Sequence, residues 1–177
     1  PLESIGRYGG TWRVASLGTS DGGLFWRSAM YEHFLRWTPD WGQDFVHNLA
    51  EDLEVSADST AFTFFVREGV KWSDGEPFTV DDVLFWFDDV LQHEDIGSEA
   101  SWLRQLENVT KTDDYTVTFS FSGPQGLFLA RMAAVDSLFG VPLLPKHYLS
   151  QFHPEYQDED SLQKLVSNEG FEDWVQL

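Results

Sequence analysis

The chain has 177 residues and a formal net charge of −19 at pH 7, because 30 acidic residues stand against only 11 Lys and Arg. This balance argues against a nucleic-acid partner and against an anionic membrane surface, since both attract clustered basic side chains. The chain contains no cysteine, so disulfides, thiolate metal sites and cysteine catalysis are excluded. A hydrophobic fraction of 42%, with 15 Phe and 8 Trp, excludes general disorder.

The N-terminal quarter of the chain predicts a strand, a turn and a helix. Apolar and polar residues alternate over residues 11–15, which indicates a strand. Residues 16–23 are rich in Gly, Ser and Thr and indicate a turn. Over residues 24–37 the apolar side chains recur at spacings of three and four, so we expect a helix that ends before Pro39.

Two β-hairpins are predicted where alternating segments flank turn-forming residues. Residues 49–55 and 62–66 lie on either side of a Ser- and Asp-rich turn at 56–59. Residues 107–111 and 116–121 flank a second, Asp-rich turn in the same way. Each hairpin places a row of apolar side chains on one face, which we expect to be buried.

A capped helix is predicted between the two hairpins. An Asp–Gly pair within residues 71–77 gives the backbone freedom that a turn needs. Thr79 then supplies an N-cap hydroxyl, and Asp82, three residues later, completes a capping box for a helix over residues 80–91. The apolar residues of this helix cover more than one stripe, so we expect it to pack on more than one neighbour.

The C-terminal third is predicted to be less regular. Residues 127–132 indicate a short helix, and the apolar, Pro-punctuated residues 139–145 indicate a buried crossing segment. From Gln151 onward, acidic residues far outnumber the one base, Lys164. This composition predicts a loosely packed tail whose packing partner lies beyond Leu177.

The polar residues show none of the patterns that catalysis or metal binding needs. Asp81 and Asp82 are neighbours in the first helical turn, where negative charge favours the helix dipole, so we expect a structural role for them. No two of the 5 histidines are four residues apart, and HExxH, GxSxG and GxGxxG motifs are absent. We therefore expect no metal, no cofactor and no catalytic residue, and we expect the histidines to be solvated.

The tryptophans are the more informative residues for ligand binding. They are too many to be assigned to the core of so small a chain with ease, and rigid aromatic walls supply contact area for a ligand. Trp26, Trp37 and Trp102 fall near loops and helix edges and are candidate ligand contacts. Trp72 is expected to belong to a structural turn.

The run AFTFFVREGVKWSDGEPFTVDDV at residues 61–83 carries a family resemblance. It resembles the signature of the family 5 extracellular solute-binding proteins, which are the peptide, dipeptide and nickel receptors of ABC importers. The resemblance covers residues 9–148. Three positions depart from the family pattern: Asn48 stands for a usual Pro, Leu53 for a usual Trp and Ser59 for a common turn Gly.

The resemblance implies an α/β (mixed α+β) fold, the N-terminal part of the type II periplasmic-binding-protein fold, with a small mixed sheet, hairpins and packed helices. Residues 1–45 would form the first-lobe strand, loop and helix. Residues 46–140 would form a small N-terminal α/β domain with the two hairpins and the capped helix. Residues 141–177 would be a crossing segment that returns to the first lobe. Members of the family are several times longer and close two lobes on the ligand, so we expect an N-terminal fragment.

The resemblance also places a candidate binding loop. In the family the first-lobe strand-to-helix loop lines the cleft, and it maps onto Thr19, Ser20, Asp21 and Trp26. Asp21 would hold the amino terminus of a peptide. Trp37 and Trp102 complete the candidate set.

The expected function is a non-catalytic receptor that binds oligopeptides or related small solutes and delivers them to the membrane permease of an ABC importer. Its place would be the periplasm or the outer face of the membrane, as a monomer, with a lipid anchor in the precursor. The alternative is a carbohydrate-active enzyme or sugar-binding module that uses Trp platforms and carboxylates. A third possibility is an acidic module that binds a basic partner.

Overall fold

The computed structural model describes residues 32–38, 44–96, 103–133 and 143–177, all of which lie in one unit of the chain, Glu32–Leu177. The strand and turn expected over residues 11–23 lie outside the described residues, as does most of the helix expected over residues 24–37. Most of the predicted crossing segment is also outside them, although Leu143 near its end is buried.

A short antiparallel ribbon begins the described chain and consists of β1 (Leu35–Trp37) and β2 (Phe45–His47). The prediction of a helix reaching Trp37 is wrong over this stretch. The apolar spacing there reflects burial of Phe34 and Leu35, each 1% exposed, by tertiary contacts. A short apolar run of this kind fits a strand as well as a helix, and pairing with β2 decides between them.

The main sheet is four-stranded and antiparallel throughout. Its strands are β3 (Ala50–Val55), β4 (Ala61–Val66), β5 (Leu106–Asp113) and β6 (Thr116–Phe121). Their order across the sheet is β3-β4-β6-β5, so each predicted hairpin is confirmed and the two hairpins meet where β4 pairs with β6.

The core lies on one side of this sheet, which we term the inner face. Its central side chains are Phe62, Phe64, Val66, Val117, Phe119 and Phe121, all buried. The rings of Phe64 and Phe119 meet edge to face, with centroids 5.7 Å apart and planes at 88°. The intervening side chains, including Thr63, Phe65 and Thr118, are half-buried and form the outer face.

The predicted capped helix is confirmed as α1 (Val80–Leu84), with Thr79 as N-cap and a capping box to Asp82. It continues as a π-helix over Phe85–Leu91, where the Gln92 N–H donates to the Phe87 carbonyl at 3.2 Å. Val80, Val83, Phe85, Trp86 and Phe87 are all buried. The wide apolar surface therefore packs on more than one neighbour, as its sequence indicates.

Three further helices follow: α2 (Phe128–Met132), α3 (Lys146–Leu149) and α4 (Glu159–Glu169). Short 3₁₀ turns occupy Leu103–Gln105, Ser150–Phe152 and Trp174–Gln176. The predicted short helix at 127–132 is confirmed as α2, which places the Phe128 ring 4.8 Å from Phe62 and 4.8 Å from Phe121. None of the helices among the described residues has the length and apolar character that crossing a bilayer requires.

The acidic tail contains an ordered helix, which its sequence did not predict, and a packing partner beyond Leu177 stays a prediction. Helix α4 begins at the N-cap Asp158, whose carboxylate accepts the Ser161 N–H at 3.0 Å, and it ends at Gly170 with φ +77°. Its buried side chains are Leu162 and Val166. Asp158, Glu159 and Asp160 lie at the start of the helix, where negative charge favours the dipole, so their charge supports order there.

Candidate functional site

One of the predicted ligand contacts lies in the described part of the chain. Thr19, Ser20, Asp21, Trp26 and Trp102 fall outside the described residues, so their roles stay predictions. Trp37 is described, and it ends strand β1. The structure therefore describes one predicted ligand contact, Trp37, together with the elements that carry the family signature.

Exposed Trp37 and half-buried Phe45 form an aromatic pair on the β1–β2 ribbon, which we call the Trp37–Phe45 ledge. Trp37 is 39% exposed, and its ring centroid lies 4.4 Å from that of Phe45, its direct partner across the ribbon. The Thr38 N–H donates to the Asp44 carbonyl at 3.0 Å and extends the pairing beyond the rings. A flat apolar surface of this kind can stack against a ring or an apolar side chain of a ligand.

Asn48, which follows β2, holds the residues that precede β1. Its side-chain amide donates to the His33 carbonyl at 2.9 Å and to the Glu32 carboxylate at 2.6 Å. Its backbone N–H donates to the Phe34 carbonyl at 3.1 Å. Proline, the usual residue of the family pattern, could make none of these bonds. The departure at Asn48 is therefore compensated by contacts that hold the residues before β1.

His33 is buried, which contradicts the expectation of solvated histidines. It is 5% exposed, and its Nε2 has no hydrogen-bond partner among the described residues. Burial and the nearby Arg36 guanidinium lower the pKa of His33, because both disfavour the charged ring. The ring is therefore held in its neutral form close to the ribbon.

Asp82 is the centre of the signature region. It is 4% exposed, and its Oδ2 accepts the Trp72 indole N–H and the Thr79 backbone N–H, each at 3.1 Å. Its Oδ1 accepts the Lys146 backbone N–H at 2.9 Å. A buried carboxylate requires such donors. One side chain thus joins the turn at residues 71–77, the start of α1 and the start of α3.

A second contact joins the same turn to α3. The His147 Nε2 and the Asp74 Oδ2 lie 2.7 Å apart. The hydrogen bond to His147, followed by the Glu76 backbone N–H, lowers the pKa of Asp74. Trp72 is thus confirmed as part of a structural turn, which contacts of Asp74 and Asp82 hold against α3.

The C-terminal segment is fixed to the π-helix by His153 and Tyr156. His153 is 3% exposed, its Nδ1 accepts the Glu155 N–H at 3.3 Å, and its Nε2 therefore donates to the Asp89 carbonyl at 2.8 Å. The Tyr156 hydroxyl donates to the Asp89 carboxylate at 2.6 Å. Burial and this bond raise the pKa of Tyr156 to about 12. His153 is thus a second histidine that the expectation of solvation placed wrongly.

These polar contacts hold elements of the fold together. Asp82, Asp89 and His153 have their hydrogen-bonding atoms engaged by the chain itself. Within the parts of the chain that the structure describes, no three His, Asp or Glu side chains are grouped as metal ligands would be. Sequence reasoning found the capping role of Asp82 but missed its bond to Lys146, because no local pattern links residues so far apart in the chain.

The chain matches a known family. The family model of "Bacterial extracellular solute-binding proteins, family 5 Middle" matches residues 44–168. This match covers both hairpins, α1 and most of α4. The chain therefore belongs to the family 5 extracellular solute-binding proteins, and the resemblance drawn from residues 61–83 is confirmed.

Relatives and solved structures agree with this membership. A Brucella ovis protein whose name describes peptide binding for an ABC transporter is 33% identical over 135 residues, which are 76% of this chain and 24% of that protein. The periplasmic alpha-galactoside-binding protein of Rhizobium meliloti is 34% identical over 116 residues, 62% of this chain and 16% of that protein.

A structure of the oligopeptide-binding protein OppA superimposes with a TM-score of 0.84 at 36% identity, over 99% of this chain and 27% of that chain. This likeness confirms the predicted α/β fold as the N-terminal part of a periplasmic-binding-protein fold. The match covers between about a sixth and a quarter of the length of these relatives.

Proposed function

We propose that the protein serves in the receptor of an ABC importer and binds oligopeptides or related small solutes by closure of two lobes. Membership of family 5, carried by the match over residues 44–168, is the observation on which this rests. The relatives named for peptide binding favour peptides as the solute class. The partner would be a membrane permease, and the receptor would be a monomer without enzymatic activity.

The proposed division of the chain follows the expected one. Residues 1–45 would contribute a strand, loop and helix to the first lobe, residues 46–140 the small domain, and residues 141–177 the return to the first lobe. The bonds of Asp82 and Asp74 to α3 support a return segment anchored on the small domain. The protein would lie in the periplasm or on the outer face of the membrane, with a lipid anchor in its precursor.

The proposed ligand contacts are Thr19, Ser20, Asp21, Trp26, Trp37 and Trp102. The exposure of Trp37 and its pairing with Phe45 support a stacking role for it. Asp21 would meet the amino terminus of a peptide. No enzymatic role is proposed for Asp81 and Asp82, because Asp82 is enclosed by three donors and Asp81 pairs with Lys111 at 2.9 Å.

A saccharide is the second candidate solute. The relative named for alpha-galactoside binding and the Trp37–Phe45 ledge both favour it, because sugar rings stack on exposed aromatic surfaces. The two candidates share the same receptor role and differ in the ligand. They are therefore separable by one binding experiment.

The experiment is thermal unfolding of the chain, and of any longer product of the same gene, with a pooled oligopeptide mixture and separately with alpha-galactosides. A ligand present at 100 times its dissociation constant stabilises the folded state by about 2.7 kcal/mol. Stabilisation by peptides supports the first candidate, and stabilisation by galactosides alone supports the second. If neither class stabilises the chain or a longer product, the proposal of a peptide or sugar receptor is wrong.

Trp37→Ala tests the ledge within that experiment. We expect this substitution to weaken the ligand-induced stabilisation, because it removes an exposed ring that a ligand would cover. Tyr148→Ala is the matched control, since Tyr148 is another exposed aromatic residue, at 52% exposure, outside the proposed contacts. Equal effects of the two substitutions would contradict a role for Trp37.

A further inference from the structure

Asn108 stands in the sequence pattern that directs N-linked glycosylation. The chain has asparagines at positions 48, 108 and 168, and Asn108 is the one followed, two residues later, by a hydroxyl residue, Thr110. The residue between them is Val109, so proline, which would block the pattern, is not present there. Such a run acts as an acceptor where a protein is exported and the run lies at the surface. Burial, side-chain partners and space therefore decide whether Asn108 can carry a sugar.

The strand places Asn108 and Thr110 side by side at the surface. Both belong to β5 and both are exposed, whereas Val109 between them is 5% exposed and points to the inner face. Residues two positions apart in a strand point to the same side of the sheet. The amide of Asn108 and the hydroxyl of Thr110 therefore lie together on the outer face, where one enzyme can engage both.

Asn108 lies at the edge of the sheet, beside a bulge. Among the strands that the structure describes, β5 pairs with β6 alone and ends the strand order. Its register shifts between Leu106 and Asn108, so Glu107 is an extra residue directly before the acceptor. A bulge interrupts the regular ladder and is common at sheet edges. The acceptor thus lies in an irregular part of an edge strand rather than in the middle of the sheet.

Short side chains lie opposite Asn108 across the sheet. Ser120 of β6 is its direct partner, and Thr118 is the partner of Thr110. Both β6 residues are half-buried. The Thr118 hydroxyl lies 2.8 Å from that of Thr63 in β4, on the side of β6 that faces away from β5. The first sugar rings of a glycan can therefore lie over this part of the outer face without displacing a large side chain.

The side-chain amides of Asn108 and Asn48 differ in their partners. Asn108 makes no side-chain hydrogen bond with any residue that the structure describes. The Asn48 amide donates to the Glu32 carboxylate at 2.6 Å and to the His33 carbonyl at 2.9 Å. A sugar on Asn48 would disrupt both bonds, whereas a sugar on Asn108 would disrupt no side-chain bond to a described residue. Asn48 is thus a structural asparagine, and Asn108 is available for modification.

We propose that Asn108 is an N-glycosylation site that carries an oligosaccharide on the outer face of the sheet. In this reaction the Asn108 Nδ2 bonds to the anomeric carbon of the first sugar, and the bond from that carbon to a phosphate oxygen of a lipid-linked oligosaccharide breaks. The phosphate oxygen keeps the electron pair, and Nδ2 loses one proton. The transferase recognises the Thr110 hydroxyl together with the acceptor. The proposal rests on the proposed location outside the cytoplasm and not on the class of solute that the receptor binds.

The test is mass spectrometry of the protein recovered from the cells that naturally produce it, after the cytoplasm has been separated from the rest of the cell. Trypsin cleaves after Arg104 and Lys111 and releases residues 105–111, with Asn108 at the centre. We expect this peptide to carry the added mass of an oligosaccharide and to lose sugar units stepwise on fragmentation. The tryptic peptide that begins at residue 165 contains Asn168 and is the internal control, which we expect to be unmodified.

Four variants produced in the same cells assign the sugar to the sequence pattern. Asn108→Gln and Thr110→Val should each abolish the added mass, because the first removes the acceptor and the second removes the recognised hydroxyl. Thr110→Ser is the matched control, since it keeps the hydroxyl, and it should retain the modification. Asn168→Gln should leave the modification unchanged. Far-UV circular dichroism reports whether each variant is folded.

Three outcomes overturn the proposal. The first is an unmodified 105–111 peptide in protein recovered outside the cytoplasm, a result that leaves the proposed location and the solute receptor intact. The second is an unmodified peptide in protein confined to the cytoplasm, which would contradict the proposed location as well. The third is an added mass that persists in Asn108→Gln or in Thr110→Val, which would mean that the modification does not follow the sequence pattern.

Discussion

Neighbouring residues of β4 meet opposite environments. Phe64 is 0% exposed on the inner face, where its ring contacts those of Phe34 and Phe119. Phe65, the next residue, is half-buried on the outer face and lines an open depression together with acidic side chains such as Glu51 and Glu68. The outer face also carries Thr63 and Thr118, whose hydroxyls lie 2.8 Å apart. One strand thus supplies both the core of the fold and a half-exposed surface with carboxylates around it.

The side chains of the two faces therefore differ in how much they contribute to the stability of the fold. Inner-face side chains are apolar and close-packed, so their contribution is set by buried area and by the absence of cavities. Outer-face side chains are polar or half-exposed, so they can change with little effect on the fold. The buried Asp82 carboxylate is surrounded by donors, whereas the exposed Glu51 and Glu68 lack side-chain partners among the described residues.

Truncation of a phenylalanine on each face gives the largest expected contrast. Phe64→Ala removes a ring with no solvent exposure, and we expect it to lower the free energy of unfolding by about 3–5 kcal/mol. Phe65→Ala should lower it by less than half as much, because the ring is partly solvated. Urea unfolding followed by Trp fluorescence measures both. Equal losses would mean that the outer face is as much a part of the core as the inner face.

Replacement of a carboxylate by its amide contrasts buried Asp82, which has three donors, with exposed Glu51, which has no side-chain partner among the described residues. Asp82→Asn should lower the free energy of unfolding by about 2 kcal/mol, because an amide nitrogen would face donors that now meet a charged oxygen. Glu51→Gln should leave it unchanged within about 0.5 kcal/mol. The same urea experiment compares them. A marked loss in Glu51→Gln would show that this carboxylate has a structural partner after all.

Substitutions at Thr63 and Thr118 test whether the hydrogen bond between their hydroxyls stabilises the outer face. Thr63→Val, Thr118→Val and the double variant form a cycle in which we expect a coupling energy of about 0.5–1.5 kcal/mol from the hydroxyl bond. β-Branching is kept in all three variants, so strand propensity changes little. A coupling energy of zero would leave the outer face without a stabilising side-chain hydrogen bond between β4 and β6.

A substitution in the β3–β4 turn has the smallest expected effect on the free energy of unfolding, and it is the one change expected to raise it. Ser59 adopts φ +56°, a left-handed conformation that is unfavourable for any residue with a side chain. Ser59→Gly should raise the free energy of unfolding by about 0.5 kcal/mol, since relief of this strain exceeds the added chain entropy. The same substitution inside α4, Ser167→Gly, should lower it by about 0.5–1 kcal/mol. A loss at Ser59 would mean that its hydroxyl or backbone contacts outweigh the strain.

The sequence by itself determined the local elements. Alternation predicted both hairpins and which of their side chains are buried, because the period of a strand assigns each residue to a face. The Thr79–Asp82 pair predicted the start of α1, because a capping box is a contact within four residues. The run at residues 61–83 identified the family, since turn, cap and strand chemistry are all local in it.

The tertiary structure decided the features that depend on contacts between residues far apart in the sequence. Residues 35–37 were predicted as the end of a helix, because apolar spacing alone does not show that they pair with residues 45–47. The bond of Asp82 to Lys146, the burial of His33 and His153, and the order of α4 depend on packing between distant segments. The grouping of Glu51, Glu68, Asp113 and Asp114 belongs to this second set of features. These carboxylates come from three separate stretches of the sequence, and only the pairing of the strands brings them to one end of the sheet.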